Sequence, residues 1–417
     1  MDKFIPKITI KPNPKKKVRA CPTPDLLNKV HLKREARKYW KKFPTNKNYE
    51  TYTKYRNQVV WEQRKSSMTK EKRIATEAKT NPIFFQYSAS KIKSKEQIAN
   101  LKQDDGSLTN SNLQKAEVLN KFFKSVFTIE DNSTLPAFPS RTSKSISSIM
   151  ISEEKMLKVL LSLNKSKSPG PDTIHPRILK ELAHEISYPL TILFNTTMKH
   201  GQIPKDWKKA EVKPIFKKGD KSSPGNYRPV SLTSVVCKIF ETFVRDALYE
   251  HLTSNDLLSP DQFGFCKGRS CVSQLLVTVN EWFQNIDKGL PVDTIYLDFA
   301  KAFDTVPHNR LLHKLKAYGI SGKLLDWIQS FLTDRTQYVT VNGTSSGQVP
   351  VTSGVPQGSV LGPVLFIYFI NDMPDILDGI KVKIFADDTK IFSPIASNVD
   401  NIKLQEGLDA LTDWSND

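Results

Sequence analysis

Cysteine is scarce in this 417-residue chain: Cys21, Cys237, Cys266 and Cys271 are the four, and no two form a CxxC pair. A disulfide scaffold is excluded, and reduced thiols are expected. No His stands at zinc-finger spacing from Cys266 and Cys271, so they do not point to a structural zinc. Long apolar runs are missing too. The longest, Val360 to Ile370, is broken by Gly362 and Pro363 and falls short of the ~18–20 residues that cross a bilayer. Gly354, Gly358 and Gly362 mimic a membrane-dimer spacing, but Gln357, Ser359 and Asn371-Asp372 around them predict a helix in water-soluble surroundings. The N-terminal MDKFIPKITIKPNPKKK contains no apolar segment of signal-peptide length, so residence in nucleus or cytoplasm is expected, without a membrane. Acidic residues are sparse in the first hundred positions, 8 against 26 basic, whereas the rest of the chain holds 35 against 36. The excess of +19 therefore sits almost wholly at the front, which points to a polyanion partner, most commonly nucleic acid.

With 38% hydrophobic and 25% charged residues, the chain has material for a substantial core. Residues 1–24, rich in Pro and Lys, read as a disordered basic tail; Pro14-Lys15-Lys16-Lys17-Val18-Arg19 suits an import signal or solvated charge equally. Residues 25–127 read as a basic helical region that binds nucleic acid. Tyr39, Trp40, Phe43, Tyr49, Tyr52, Tyr55 and Trp61 alternate there with Lys and Arg, and Asn81-Pro82 interrupts the pattern before Ile83-Phe84-Phe85. Packed aromatics inside and a basic face outside are expected. Residues 128–150, with their serines, threonines and prolines, read as a linker. From 151 to 417 the pattern is α+β. Ser152 opens a helix, helices are expected at 176–200 and 232–253, and Val212–Phe216 with 217–229 suggests a strand pair around a basic loop.

Two acidic segments carry the chemistry. Val292 to Phe299 has strand character and ends on Asp298. Lys381 to Phe392 contains two alternating runs around Asp387-Asp388, a hairpin signal. Adjacent carboxylates at a hairpin tip repel each other and invite a cation. Brought together, the three acids would offer hard oxygen ligands to Mg²⁺, which keeps waters and accepts phosphate oxygens. Taken alone, Asp-Asp is also an ordinary turn pair, and Asp298 or Asp304 an ordinary helix cap. Between the segments lies Ser353-Gly354-Val355-Pro356-Gln357-Gly358, a loop whose glycines permit close backbone approach to a nucleotide.

The strings LDFAKAFDTV, SGVPQGSVLGP and FADDT, in this order, resemble the reverse transcriptases of non-LTR retrotransposons of the LINE-like, jockey or CR1 type. WKKAEVKPIFKKGD, NYRPVSL and DQFGFCKGRS add to the resemblance, which covers residues 150–417. It implies polymerase fingers and palm, with a four-stranded antiparallel palm sheet backed by helices, and RNA-directed DNA synthesis on an RNA template and a DNA primer from deoxynucleoside triphosphates. It implies two Mg²⁺ or Mn²⁺ ions at Asp298, Asp387 and the Phe299 carbonyl, with Asp388 in support. Phe303 would exclude a ribose 2′-OH. Gln357 and Gly358 would contact the incoming nucleotide, and Lys217 and Arg228, with Lys213 and Lys218 as weaker candidates, would grip its phosphates. Phe263, Gly264, Lys267, Gly268 and Arg269 would lie along the template. Cys266 and Cys271 stand where the family shows Arg and Ser or Thr. The resemblance further implies that the sequence stops before the primer grip and thumb, so that binding is expected more readily than turnover. The rival reading is a catalytically dead RNA-binding remnant of the same element.

Overall fold

A computed structural model describes residues 24–76, 98–131 and 135–416. The basic tail up to residue 23 and the Asn81-Pro82 break lie outside the described residues. The chain divides into two compact units, residues 1–96 and 97–417.

The first unit is a helical hairpin of α1 (Pro24–Lys42) and α2 (Asn46–Thr76). Trp40 stacks on Tyr52 at 5.6 Å and meets Tyr49 at 4.9 Å, while Val59 is buried. Lys29 bridges Asp25 on its own helix and Glu62 on the other. The expected internal aromatic core is therefore only partial. Tyr39, Phe43, Tyr49 and Trp61 are exposed, because a two-helix hairpin has one shared seam and cannot enclose rings placed all around both helices.

The second unit begins before the segment read as a linker. Helix α3 (Asn112–Ser125) is capped by Ser111 and packs Leu119 and Phe123 with Val212, Tyr227, Val339 and Val341. Within residues 128–150, Thr128, Glu130 and Ile146 are tied down rather than loose. Thr128 bonds Ser353 and Thr305, Glu130 accepts from the Asn309 and Arg310 amides, and Ile146 pairs with Ile320. Polar composition alone does not distinguish such a strap from a linker, since both expose polar side chains.

Helices α4 (Glu153–Ser162), α5 (Ala183–His200) and α6 (Val235–Ser254) follow, with a short helix Pro176–Glu181 before α5. Ser152 caps α4 as expected. Phe194, Trp207 and Phe240 meet edge to face. Strands β1 (Lys209–Phe216) and β2 (Tyr227–Leu232) form the expected antiparallel pair, closing at Phe216 and Tyr227. After α7 (Cys271–Ile286) come β3 (Val292–Asp298), a short helix Ala302–Thr305, α8 (His308–Ala317) and α9 (Gly322–Leu332). Strand β4 (Arg335–Val341) runs parallel to β1 and is flanked by β5 (Thr344–Ser345) and β6 (Val349–Val351), completing one sheet. Helix α10 (Gly362–Ile370) is the long apolar run. Val364 through Tyr368 and Ile370 are all buried, so this run is a core helix. No helix among the described residues is long and apolar enough to cross a membrane.

The second sheet holds β7 (Lys381–Phe385) and β8 (Asp388–Pro394) as a hairpin, with β3 beside β8 in the order β3-β8-β7. It is antiparallel and has three strands, not four. The position beyond β7 is taken by a single parallel bridge between Gln262 and Ile384, and the backbone turns left-handed at Phe265 (φ +57°) soon after. Helix α11 (Asn398–Asn416) ends the described chain.

Candidate active site

Antiparallel register sets the acids. Asp298 closes β3 directly opposite Asp388, the first residue of β8, and such partners sit about 4.5–5.5 Å apart at Cα. Phe385 pairs with Asp388, leaving Ala386 and Asp387 as the two turn residues. Ala386 has a φ of +59°, the left-handed geometry that tight hairpin turns demand. Asp387 is half-buried, Asp298 and Asp388 exposed. Burial raises the Asp387 carboxyl above the usual aspartate range; its own backbone amide opposes this, Asp388 and Asp298 push it further up, and Arg228 pulls it down. No hydrogen bond or ion pair engages the Asp298 or Asp388 side chain among the described residues. Nor do three His, Cys, Asp or Glu side chains there form a ready-made ion cage.

A cleft of about 590 Å³ opens beside these acids. Asp298, Phe299, Phe303 and Asp387 are among the residues that border it. Lys217, Arg228, Gln357 and Gly358 border it as well. The two cations stand at the ends of the β1–β2 connection, exposed and without an ion pair among the described residues. Lys213 is engaged with Glu211 at 2.5 Å, and Lys218 does not border the cleft.

The glycine-bearing loop is stitched to both neighbours. The Gly354 amide donates to Val306, Val355 to the Phe303 carbonyl, and the Gly354 carbonyl accepts from the His308 ring. The Ser231 amide on β2 donates to the Gln357 carbonyl. Gly354 (φ +85°) and Gly358 (φ +111°) would place a Cβ 2.7 Å from Asp304 O and 2.5 Å from Ser231 O, so backbone contact excludes any side chain there. Below the loop, the buried Glu241 accepts from the amides of Val360 (2.6 Å) and Leu361 (3.1 Å) at the start of α10. Glu241→Ala strands both donors and is expected to cost about 1–3 kcal/mol, read as a lowered urea midpoint; an unchanged midpoint removes that role.

Sequence reasoning missed two residues. Asp304 accepts both of its 2.9 Å bonds from Gln357 Nε2, so the glutamine amide is aimed by a carboxylate rather than free. Burial raises the Asp304 carboxyl, with Gln357, Lys301 and Arg228 opposing. Phe265 borders the cleft, half-exposed, with φ +57° and its ring edge-on to Phe303 at 5.9 Å. A bulky side chain in left-handed backbone is a signal visible only in the structure. Phe303 in turn stacks on Phe366 at 4.3 Å.

The residues read as template-facing divide. Lys267 and Gly268 are exposed. Arg269 turns inward, donating to the carbonyls of Ser259, Pro260 and Gln262 and lying over the Phe263 ring. Gly264 is buried against the acidic turn, with a would-be Cβ 2.1 Å from Ala386 N.

An acidic hairpin tip and a terminal strand acid thus border one cleft together with a cationic loop and a glycine-bearing loop. Residues 215–417 match the family model for reverse transcriptase (RNA-dependent DNA polymerase). The chain is similar to the RNA-directed DNA polymerases of non-LTR retrotransposons. It is 32% identical over 276 residues to the probable RNA-directed DNA polymerase from transposon BS of Drosophila melanogaster, covering 63% of this chain and 30% of that protein. It is 32% identical over 286 residues to the RNA-directed DNA polymerase from mobile element jockey of the same organism, covering 66% and 31%. The matching protein from transposon X-element is 30% identical over 239 residues, 56% and 26%. The matched stretch thus spans less than a third of the length of these curated relatives.

Proposed function

We propose that the chain performs RNA-directed DNA synthesis, joining a deoxynucleoside monophosphate from its triphosphate to a primer 3′-hydroxyl opposite an RNA template. The observation that carries this reading is the common cleft of Asp298 and Asp387 with Lys217 and Arg228. Phosphoryl transfer asks mainly for positioning and charge neutralisation, and this cleft brings both signs of charge to one place. The donor set fits two Mg²⁺ or Mn²⁺ ions: carboxylate oxygens of Asp298 and Asp387 and the Phe299 carbonyl would hold them, with Asp388 alongside. An open set of hard ligands suits ions that share coordination with water and phosphate. When bound, such ions supply Lewis-acid polarisation of the attacking and leaving oxygens.

The chain's own residues do the rest. Lys217 and Arg228 orient the triphosphate. Asp304 holds the Nε2 end of Gln357, so Oε1 is the acceptor offered to the nucleotide, while Gly358 lets the backbone come close. Lys267 and Gly268 face the template; Gly264 and Arg269 shape the segment that presents them. The exposed aromatics and lysines of α1 and α2 give sequence-independent RNA affinity that falls steeply with salt. Primer extension on an RNA template tests the whole reading. Incorporation that requires Mg²⁺ or Mn²⁺ supports it; RNA binding without incorporation in either ion overturns it and leaves the inert remnant.

Phe303 serves as the sugar gate, its ring backed by Phe366 and Phe265. Phe303→Ala is expected to reduce the preference for deoxy- over ribonucleotides by about 10–200-fold, measured as the ratio of kcat/KM values. An unchanged ratio removes the gate.

A further inference from the structure

We propose that Gln262 is a positioning residue for the acidic turn, its side-chain carbonyl holding Ala386 and through it Asp387. The importance of this for synthesis rests on the function proposed above; the contact itself does not. Gln262 is 1% exposed. Its Oε1 accepts from Gly264 N at 2.7 Å and from Ala386 N at 3.1 Å. Two backbone donors facing one atom fix which end of the amide is oxygen, because the reversed amide would set N–H against N–H.

The surrounding pairing explains why a side chain is needed here. Ile384 N donates to Asp261 O at 2.9 Å, Phe263 N donates to Ile384 O at 2.8 Å, and the backbone pairing goes no further toward the turn. Ala386 sits in left-handed backbone at the first turn position, where its amide has no strand partner. Gln262 supplies that partner from the neighbouring segment. Below it, Lys383 anchors the same segment, with Nζ 2.8 Å from Asp261 and 3.2 Å from Glu281 on α7. The missing side chain of Gly264 lets the two backbones touch.

Gln262 Nε2 is buried with no hydrogen-bond partner among the described residues. An unmet buried donor is a cost that an apolar side chain of equal length avoids. The compensating gain lies at Oε1, on the amide next to Asp387.

The test uses the full chain and two variants. Gln262→Met keeps length and volume but has no acceptor; Gln262→Glu keeps an acceptor oxygen. Amide hydrogen exchange is followed at Ala386, with Val382 and Ile391 as controls on the same hairpin, and Mn²⁺ binding is followed by water-proton relaxation. Gln262→Met is expected to speed exchange at Ala386 by about tenfold or more, to leave the controls unchanged, and to weaken Mn²⁺ binding by a similar factor. Gln262→Glu is expected to restore protection at Ala386. Unchanged exchange at Ala386 overturns the proposal. Faster exchange at all three amides also overturns it, because Gln262 is then a general packing residue. Local loosening with undiminished Mn²⁺ affinity removes the positioning role. A wild-type chain that neither binds Mn²⁺ nor extends a primer defeats the proposed function, and exchange at Ala386 then decides the contact by itself.

Discussion

Asp387→Asn is expected to lower primer extension by about 10²–10³-fold or more while leaving RNA affinity within about twofold. The carboxylate stands at the turn between β7 and β8, bordering the cleft shared with Asp298, Lys217 and Arg228. Asparagine keeps the shape and the turn but presents one neutral oxygen to a hard divalent ion, which prefers charged oxygen. RNA affinity is the control, because the basic surface is untouched. Full synthesis by the variant would show that the metal-holding acids lie elsewhere. A second readout comes from heat. If the wild-type chain holds the ions, Mg²⁺ raises its melting temperature by mass action, and the variant loses most of that rise.

Gly264→Ala is the second large effect. A Cβ there would stand 2.1 Å from Ala386 N, 2.8 Å from Phe385 C and 2.9 Å from Ala386 Cα. These are backbone atoms of the acidic turn, so no rotamer change relieves the overlap. Moving backbone in a filled interior costs about 1–3 kcal/mol or more, and the displaced group here is the neighbour of Asp387. The expected result is a lower urea midpoint together with loss of synthesis, both measured on one preparation. A residue that only faces template would give a different pattern: unchanged stability and a raised KM for template. Seeing that second pattern would restore Gly264 to the template surface.

The acids were legible in sequence because their chemistry is local. Alternating runs around Asp387-Asp388 specify a hairpin, and a strand ending on Asp298 puts a third carboxylate where a neighbouring strand can bring it alongside. The loop glycines were legible for a similar reason, since Gly354 and Gly358 stand out as positions where a side chain is unwelcome. Asp304 and Gln262 were not legible as positioning residues. Each acts through one contact to a residue far along the chain, Gln357 and Ala386 respectively, and a sequence carries no sign of which distant amide a buried side chain will meet. Arg269 shows the converse. Its charge suggested a phosphate, and the structure turns one of its nitrogens, Nη1, to three nearby carbonyls. The ties of Thr128 and Glu130 were not legible either, because their anchors, Ser353, Thr305 and the α8 amides, are polar and distant too.

The repulsion among Asp298, Asp387 and Asp388 has an evolutionary consequence. Like charges gathered at one turn burden the fold, and under the function proposed above it is turnover that offsets the burden. A gene copy freed from selection for synthesis therefore gains robustness when these positions drift to amides. Thermal stability, used to choose among such copies, would favour the inert ones.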